Sequence, residues 1–166
     1  MENELEMLRD SLNALIADIK QEIIEKILKV NAAYWHNNDL KNATLPSQDR
    51  NYMGPRLRLD PHYALTWEAR RQIYKPKTER KSYPVYIKKG QKGTGYSANM
   101  LARYAAPWAL EMVLATEKEL DVLRRQYNEA RDIARQMNSR FRRISVLQEQ
   151  IGFKGKSGNK ADTDQN

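Results

Sequence analysis

The chain has 166 residues with 29 Lys and Arg against 21 Asp and Glu, a net charge of +8, no Cys and only two His. Disulfides, thiolate nucleophiles, Cys-type zinc sites and Fe–S clusters are thereby excluded, and His36 and His62 cannot build a His-rich metal centre, so neither a metal nor a cofactor is expected. No apolar run approaches the about 20 residues that span a bilayer, and the acidic start Met1-Glu2-Asn3-Glu4 is not a signal peptide; no membrane contact is expected, and the expected location is the cytoplasm.

Residues 1–35 read as one long helix. Leu5, Leu8, Leu12, Ile16, Ile19, Ile23, Ile27, Val30 and Tyr34 recur at steps of three or four, which places them on one stripe. The segment has no Gly or Pro, and Glu2, Glu4 and Glu6 suit the positive end of a helix dipole. A stripe this narrow needs a partner helix.

Residues 36–62 read as an irregular linker, rich in Asn and punctuated by Pro46, Gly54, Pro55 and Pro61. Connections this long are commonly functional, and this one carries Arg50, Tyr52, Arg56 and Arg58. Residues 63–96 read as a basic β-hairpin head followed by a Gly/Lys loop. Leu65, Trp67, Ala69, Arg71 and Ile73 alternate with Thr66, Glu68, Arg70, Gln72 and Tyr74, and a polar turn leads to Tyr83, Val85 and Ile87. Pro84 marks an edge strand. A helix over residues 63–74 stays open as an alternative.

Ser97 is a good N-cap, and residues 97–151 read as a helical segment kinked near Pro107, unless Pro107 instead occupies the first turn of a second helix. From Thr116 the seam Leu120, Leu123, Tyr127, Ala130, Ala134, Met137, Phe141 and Ile144 follows alternating steps of three and four, a heptad signal for a coiled coil. Gly152 is expected to end the helix, and residues 152–166 to be a disordered tail. The expected fold class is mainly α (α+β): long amphipathic N- and C-terminal helices form an antiparallel hairpin or coiled coil, within one chain or through a homodimer, with a small basic β-hairpin head between them.

Charge is unevenly spread. Residues 1–26 hold seven acids and three bases, for −4, and residues 50–92 hold twelve bases and three acids, for +9. Such asymmetry points to a polyanion met by the middle of the chain. The candidate nucleic-acid-binding cations are Arg56, Arg58, Arg70, Lys75, Lys88, Lys89 and Lys92. Tyr74, Tyr86 and Tyr96 are the candidate stacking platforms for bases. Arg70 and Arg71 fall on opposite strand faces, so only one can share a ligand with Tyr74. The loop Lys88-Lys89-Gly90-Gln91-Lys92-Gly93-Thr94-Gly95 lacks the Lys-Ser/Thr pair of a P-loop, and its glycines run in the reverse order of a dinucleotide fingerprint. What remains is a lysine loop leading to a helix N-terminus, which favours phosphate. The arginines of the last helix (Arg124, Arg125, Arg131, Arg135, Arg140, Arg142 and Arg143) are expected to pair with Asp10, Asp18, Glu22 and Glu25 of the first.

Catalysis finds little support. Asp60, His62 and Tyr63 are adjacent, but no carboxylate or histidine cluster accompanies them. The chain is therefore not read as an enzyme.

Trp67-Glu68-Ala69-Arg70, Tyr83-Pro84-Val85-Tyr86-Ile87, Gly95-Tyr96-Ser97, Leu101-Ala102-Arg103-Tyr104-Ala105, Trp108-Ala109-Leu110-Glu111, Thr116-Glu117 and Leu123-Arg124-Arg125 together resemble the MobI type of conjugative mobilisation protein. These motifs cover about a third of the chain, and none is diagnostic alone. The resemblance implies a relaxosome accessory factor of a mobile genetic element, which acts at an origin of transfer and helps a separate relaxase. It implies no catalytic residue. The leading expectation is thus a DNA-binding protein, for duplex or single strands, with a relaxase or other relaxosome protein as partner. One alternative is a coiled-coil adaptor in which Leu120, Leu123, Tyr127, Met137 and Phe141 receive another protein. The other is an RNA-binding protein.

Overall fold

The computed structural model describes residues 2–60, 62–73, 81–90 and 93–157, with backbone alone at 2–3, 71–73, 81–83 and 152–157. The elements in chain order are α1 (Glu2–Ala43), a 3₁₀ turn (Ser47–Asp49), β1 (Met53–Arg58), β2 (Ala64–Ile73), β3 (Lys81–Tyr86), α2 (Ala98–Ala102), a second 3₁₀ turn (Pro107–Ala109) and α3 (Leu110–Ser157). The fold is mainly helical, with a small antiparallel sheet between long N- and C-terminal helices. It divides into two compact units, one of Gln21–Tyr127 and one of Met1–Lys20 with Asn128–Asn166.

In the larger unit the sheet has the order β1-β2-β3, with β2 central. The β1–β2 register runs from Met53↔Ala69 to Arg58↔Ala64, and the β2–β3 register from Glu68↔Tyr86 to Ile73↔Lys81. The alternation expected for β2 is present, with Leu65, Trp67 and Ala69 buried and Arg70 exposed, so the segment is strand rather than helix. The head has one strand more than a hairpin. β1 lies in the expected linker, where Gly54-Pro55 disguises an alternation of Met53, Pro55 and Leu57 with Arg56 and Arg58.

Pro55 is tolerated because of where its missing N–H would point. The Arg70 N–H donates to the Tyr52 carbonyl across the ladder (3.0 Å), so even-numbered residues of β1 face β2 and odd-numbered ones face the free edge. That edge is closed by α1. The Asn42 side-chain amide pairs with the Asn51 backbone in both directions, accepting from its N–H at 2.8 Å and donating to its carbonyl at 2.9 Å. Asn38 donates to the same carbonyl, Tyr34 to Met53 O (2.6 Å) and Trp35 to Pro55 O (3.2 Å). Side chains of one helix face thus replace a fourth strand and guard the edge against further pairing. This explains why α1 runs to Ala43 rather than stopping at residue 35. Asparagine is a mediocre helix former, and here tertiary hydrogen bonds override its propensity.

The core of this unit joins Ile23, Ile27 and Tyr34 of α1, the inward face of the sheet, and Val113, Leu120, Leu123 and Tyr127 of α3. Burying each aliphatic side chain contributes about 1.5–3 kcal/mol. Leu120, Leu123 and Tyr127 are therefore taken up by the chain's own core and offer no surface to a second protein, which corrects the adaptor reading of these positions. The Ser97 hydroxyl caps α2 by accepting from the Met100 N–H, as expected, but α2 is short. Pro107 does not kink one long helix. It opens the 3₁₀ turn before α3, where its lack of an N–H is harmless.

In the smaller unit the early part of α1 lies along the late part of α3, with Asn13 and Asn138 exchanging reciprocal amide hydrogen bonds at 3.3 Å. Met137 and Phe141 are partly buried, as is Leu12. Among the described residues no ion pair joins an α3 arginine to Asp10, Asp18, Glu22 or Glu25, contrary to the expectation. Asp10 pairs with Arg9 and Glu22 with Lys26, while Arg131 and Arg135 share Asp132 and Arg125 pairs with Asp121. Near neighbours on the same helix win because they need no long side chain to be ordered across a gap. Gly152 does not end α3, which continues to Ser157; one glycine costs a helix only about 1 kcal/mol. Residues 158–166, where the tail was expected, lie outside the described residues.

Candidate nucleic-acid interface

One side of the sheet packs on the helices and the other faces solvent. Cross-strand partners share a side, and the pairs Arg56↔Thr66, Glu68↔Tyr86 and Arg70↔Pro84 put Arg56, Arg58, Glu68, Arg70 and Tyr86 together on the outer one. Arg56, Arg58, Arg70 and Tyr86 are all exposed. The register therefore gathers three of the cations expected from the sequence with one of the expected rings.

Glu68 organises this face. Its carboxylate accepts from Arg58 (3.0 Å) and lies 4.0 Å from the Arg56 guanidinium. Arg58 also donates to the Tyr86 hydroxyl and lies over that ring, 4.7 Å from its centroid. The Arg56 guanidinium is 5.4 Å from the centre of Trp35, whose ring lies across the backbone of Gly54. A Cβ at position 54 would come within 2.1 Å of Trp35, so only glycine admits the ring. One carboxylate shared by two half-exposed guanidiniums leaves the face net positive, and each guanidinium keeps free donors in a geometry suited to phosphate. Arg70 takes part in no ion pair among the described residues.

Beyond β3 the chain passes Lys88 and Lys89, both solvent-accessible, and turns at Gly93 with φ 99°, a conformation that favours glycine. Behind this loop lies a buried polar hub. Glu117 of α3 accepts from Trp67 Nε1 (2.7 Å), from the Tyr96 N–H (2.7 Å) and from Arg124, which is itself buried. Thr94 donates to Asp121, and a Cβ on Gly95 would meet Asp121 Oδ1 at 2.9 Å, so the loop backbone lies directly against two carboxylates of α3. The hub fixes the exit of the lysine loop relative to the sheet. Partial burial, and then the like charge of Arg124, hold the Lys89 ammonium below the ordinary lysine pKa.

Tyr96 is a correction. Its ring is buried between Lys89 and Arg124, with its hydroxyl accepting from the Trp67 N–H, so it cannot stack on a base. Burial, opposed by that hydrogen bond, raises its pKa. Tyr74, Lys75 and Lys92 lie outside the described residues. The neighbours Asp60, His62 and Tyr63 do not converge: Asp60 and His62 are exposed, while the Tyr63 ring stacks on Tyr127 with centroids 3.8 Å apart. Among the described residues no group of His, Asp and Glu is placed to hold a metal ion, and no helix is long and apolar enough to cross a membrane. Sequence reasoning missed Trp35, Glu68, Glu117 and Arg124. Glu68 alone left a signal, as the one acid on the strand face that carries Arg70.

A basic, solvent-facing sheet braced by long helices is the frame in which the comparisons with known proteins fall. The model of the MobI protein family matches residues 25–138, a span that holds the whole sheet, the lysine loop and the Glu117 hub. The chain belongs to the MobI family and is a protein of conjugative mobilisation. No curated protein and no solved structure gives a significant match.

Proposed function

We propose that this chain is a DNA-binding accessory factor that acts at an origin of transfer and assists a separate relaxase. The observation that supports it is the gathering of Arg56, Arg58, Arg70 and Tyr86 on one open side of the sheet, with Lys88 and Lys89 following β3. Guanidiniums on a rigid ladder meet phosphates without much further ordering, and phosphate contacts supply most of the affinity of such proteins. An exposed tyrosine held by Arg58 adds a surface for a base or a sugar. The relaxosome is the assembly in which a mobilisation protein of this kind would meet DNA, and the chemistry of strand cleavage belongs there to the relaxase.

The test is fluorescence anisotropy with labelled origin duplex, the matching single strand, unrelated duplex and RNA as competitors, together with a relaxase nicking assay. Origin DNA should compete best, and the chain should raise the nicking rate. The variant R56A/R58A/R70A should do neither. Stronger competition by RNA than by any DNA would contradict the reading.

A further inference from the structure

The smaller unit carries an apolar face that its own fold leaves open. Leu8, Leu15 and Ile19 of α1 and Ile133, Ile144 and Leu147 of α3 are between 41 and 57% exposed. They are not scattered. On α1 the three residues recur at seven and four, one stripe beside the inward residues Leu5, Leu12 and Ile16. On α3 the stripe flanks Ala130, Ala134, Met137 and Phe141 in the same way. At 100° per residue the α1 stripe lies about 60° to one side of those inward residues, and the α3 stripe about 75° to one side of its own, in the same rotational sense. The helices run antiparallel here, as Asn13 opposite Asn138 shows, so both displacements fall on the same side of the hairpin. The same pairing sets Ile19 level with Ile133 and Leu8 level with Ile144. The result is an apolar surface two helices wide, interrupted on α3 by Arg140.

We infer that this surface is the interface of a homodimer in which two hairpins pack face to face as a four-helix bundle. Charge selects a second copy as the occupant. The α1 part of the unit is acidic (Glu4, Glu6, Asp10, Asp18) and the α3 part is basic (Arg131, Arg135, Arg140, Arg142, Arg143). Asp18 borders the α1 stripe one turn from Leu15, Arg140 lies in the α3 stripe one turn before Ile144, and Arg143 lies one turn before Leu147. None of these three takes part in an ion pair among the described residues. A two-fold axis along the bundle sets α1 of each copy against α3 of the other, antiparallel, so acids meet arginines on both sides. The alternative, α1 on α1, would set like charges together. The face is thus self-complementary in shape and charge, as an isologous interface requires. The inference is independent of DNA binding and would stand if that reading failed.

The experiment is sedimentation velocity on the full chain from about 1 to 200 μM, with L15K/I144K as the variant. Both substitutions fall on exposed positions, and far-UV circular dichroism checks that helicity is unchanged. The expected result is a reversible dimer of twice 19.4 kDa, with association weakened at least about 100-fold in the variant. As a second readout, I144C in this cysteine-free chain, labelled with a polarity-sensitive dye, should shift to the blue as concentration rises. A wild-type chain that stays monomeric at 200 μM, or a variant that self-associates as the wild type does, overturns the proposal. So does a monomer whose capture by a relaxase is abolished by L15K/I144K, which would assign the face to that protein instead.

Discussion

Removing the Glu117 carboxylate should be among the most costly single changes in this chain. Its two oxygens receive Trp67 Nε1, the Tyr96 N–H and Arg124, all three buried. In E117A the Arg124 guanidinium would stay in the core with no counter-charge; its Nε and Nη1 already lack a partner among the described residues. Breaking a buried pair from one side costs about 3–5 kcal/mol, and for a chain of this size each kcal/mol lowers the melting temperature by about 2–4 °C. A drop on the order of 10 °C is therefore expected, read by circular dichroism at 222 nm on heating and by urea titration. Adding R124M removes the stranded cation, so E117A/R124M should recover a substantial part of the loss, a coupling that a double-mutant cycle isolates. A loss below about 1 kcal/mol in E117A, or no recovery in the double variant, would refute the hub as the joint between α3, the sheet and the loop.

Other outcomes follow from the same geometry. G54A should destabilise the chain by about 1–3 kcal/mol in urea, because the new methyl collides with the Trp35 ring. Tyr63 has a hydroxyl that is buried and without a hydrogen-bond partner among the described residues, and burial pushes its pKa up to about 12. A raised folded-state pKa favours the neutral form, so its stabilising contribution is complete below pH 10 and is lost as pH rises toward about 12. Y63F should match the wild type in melting temperature at pH 7 and fall less steeply above pH 10; identical alkaline profiles would count against this. E68Q should tighten DNA binding by about threefold in anisotropy, since it frees two guanidiniums from a competing carboxylate; weaker binding would mean that Glu68 instead holds them in place for the ligand.

Much of the fold was legible because it is written in periodicity. The stripe from Leu5 to Tyr34, except for Leu8 and Ile19, which the structure leaves exposed, the alternation through Leu65, Trp67 and Ala69, and Pro84 at an edge reappear in the structure. What was illegible depends on contacts between distant residues. The Asn-rich stretch looks like a loop until Asn38 and Asn42 are seen to stand in for a strand beside Asn51. Gly54-Pro55 looks like a turn until the glycine is seen under Trp35 and the proline at an edge with no donor to lose. The outer face was readable as far as Arg70, since one strand shows its own alternation, but the cross-strand register that adds Arg56, Arg58 and Tyr86 is not a local property. Tyr96 sits in a loop with no period to say which way it points. Arg124 looked like one of a row of surface arginines, because nothing in the sequence marks the carboxylate that draws it inside.

The central claim is that the outer face of the sheet meets phosphate, and the salt dependence of binding tests it most directly. If Arg56, Arg58, Arg70, Lys88 and Lys89 all contact phosphates, log K should fall against log salt with a slope of about −4.5, a loss of about 500-fold between 50 and 200 mM. In R56A/R58A/R70A the slope should relax to about −1.8, a loss of only about 12-fold over the same range. A wild-type slope near zero, or an unchanged slope in the variant, would contradict the account.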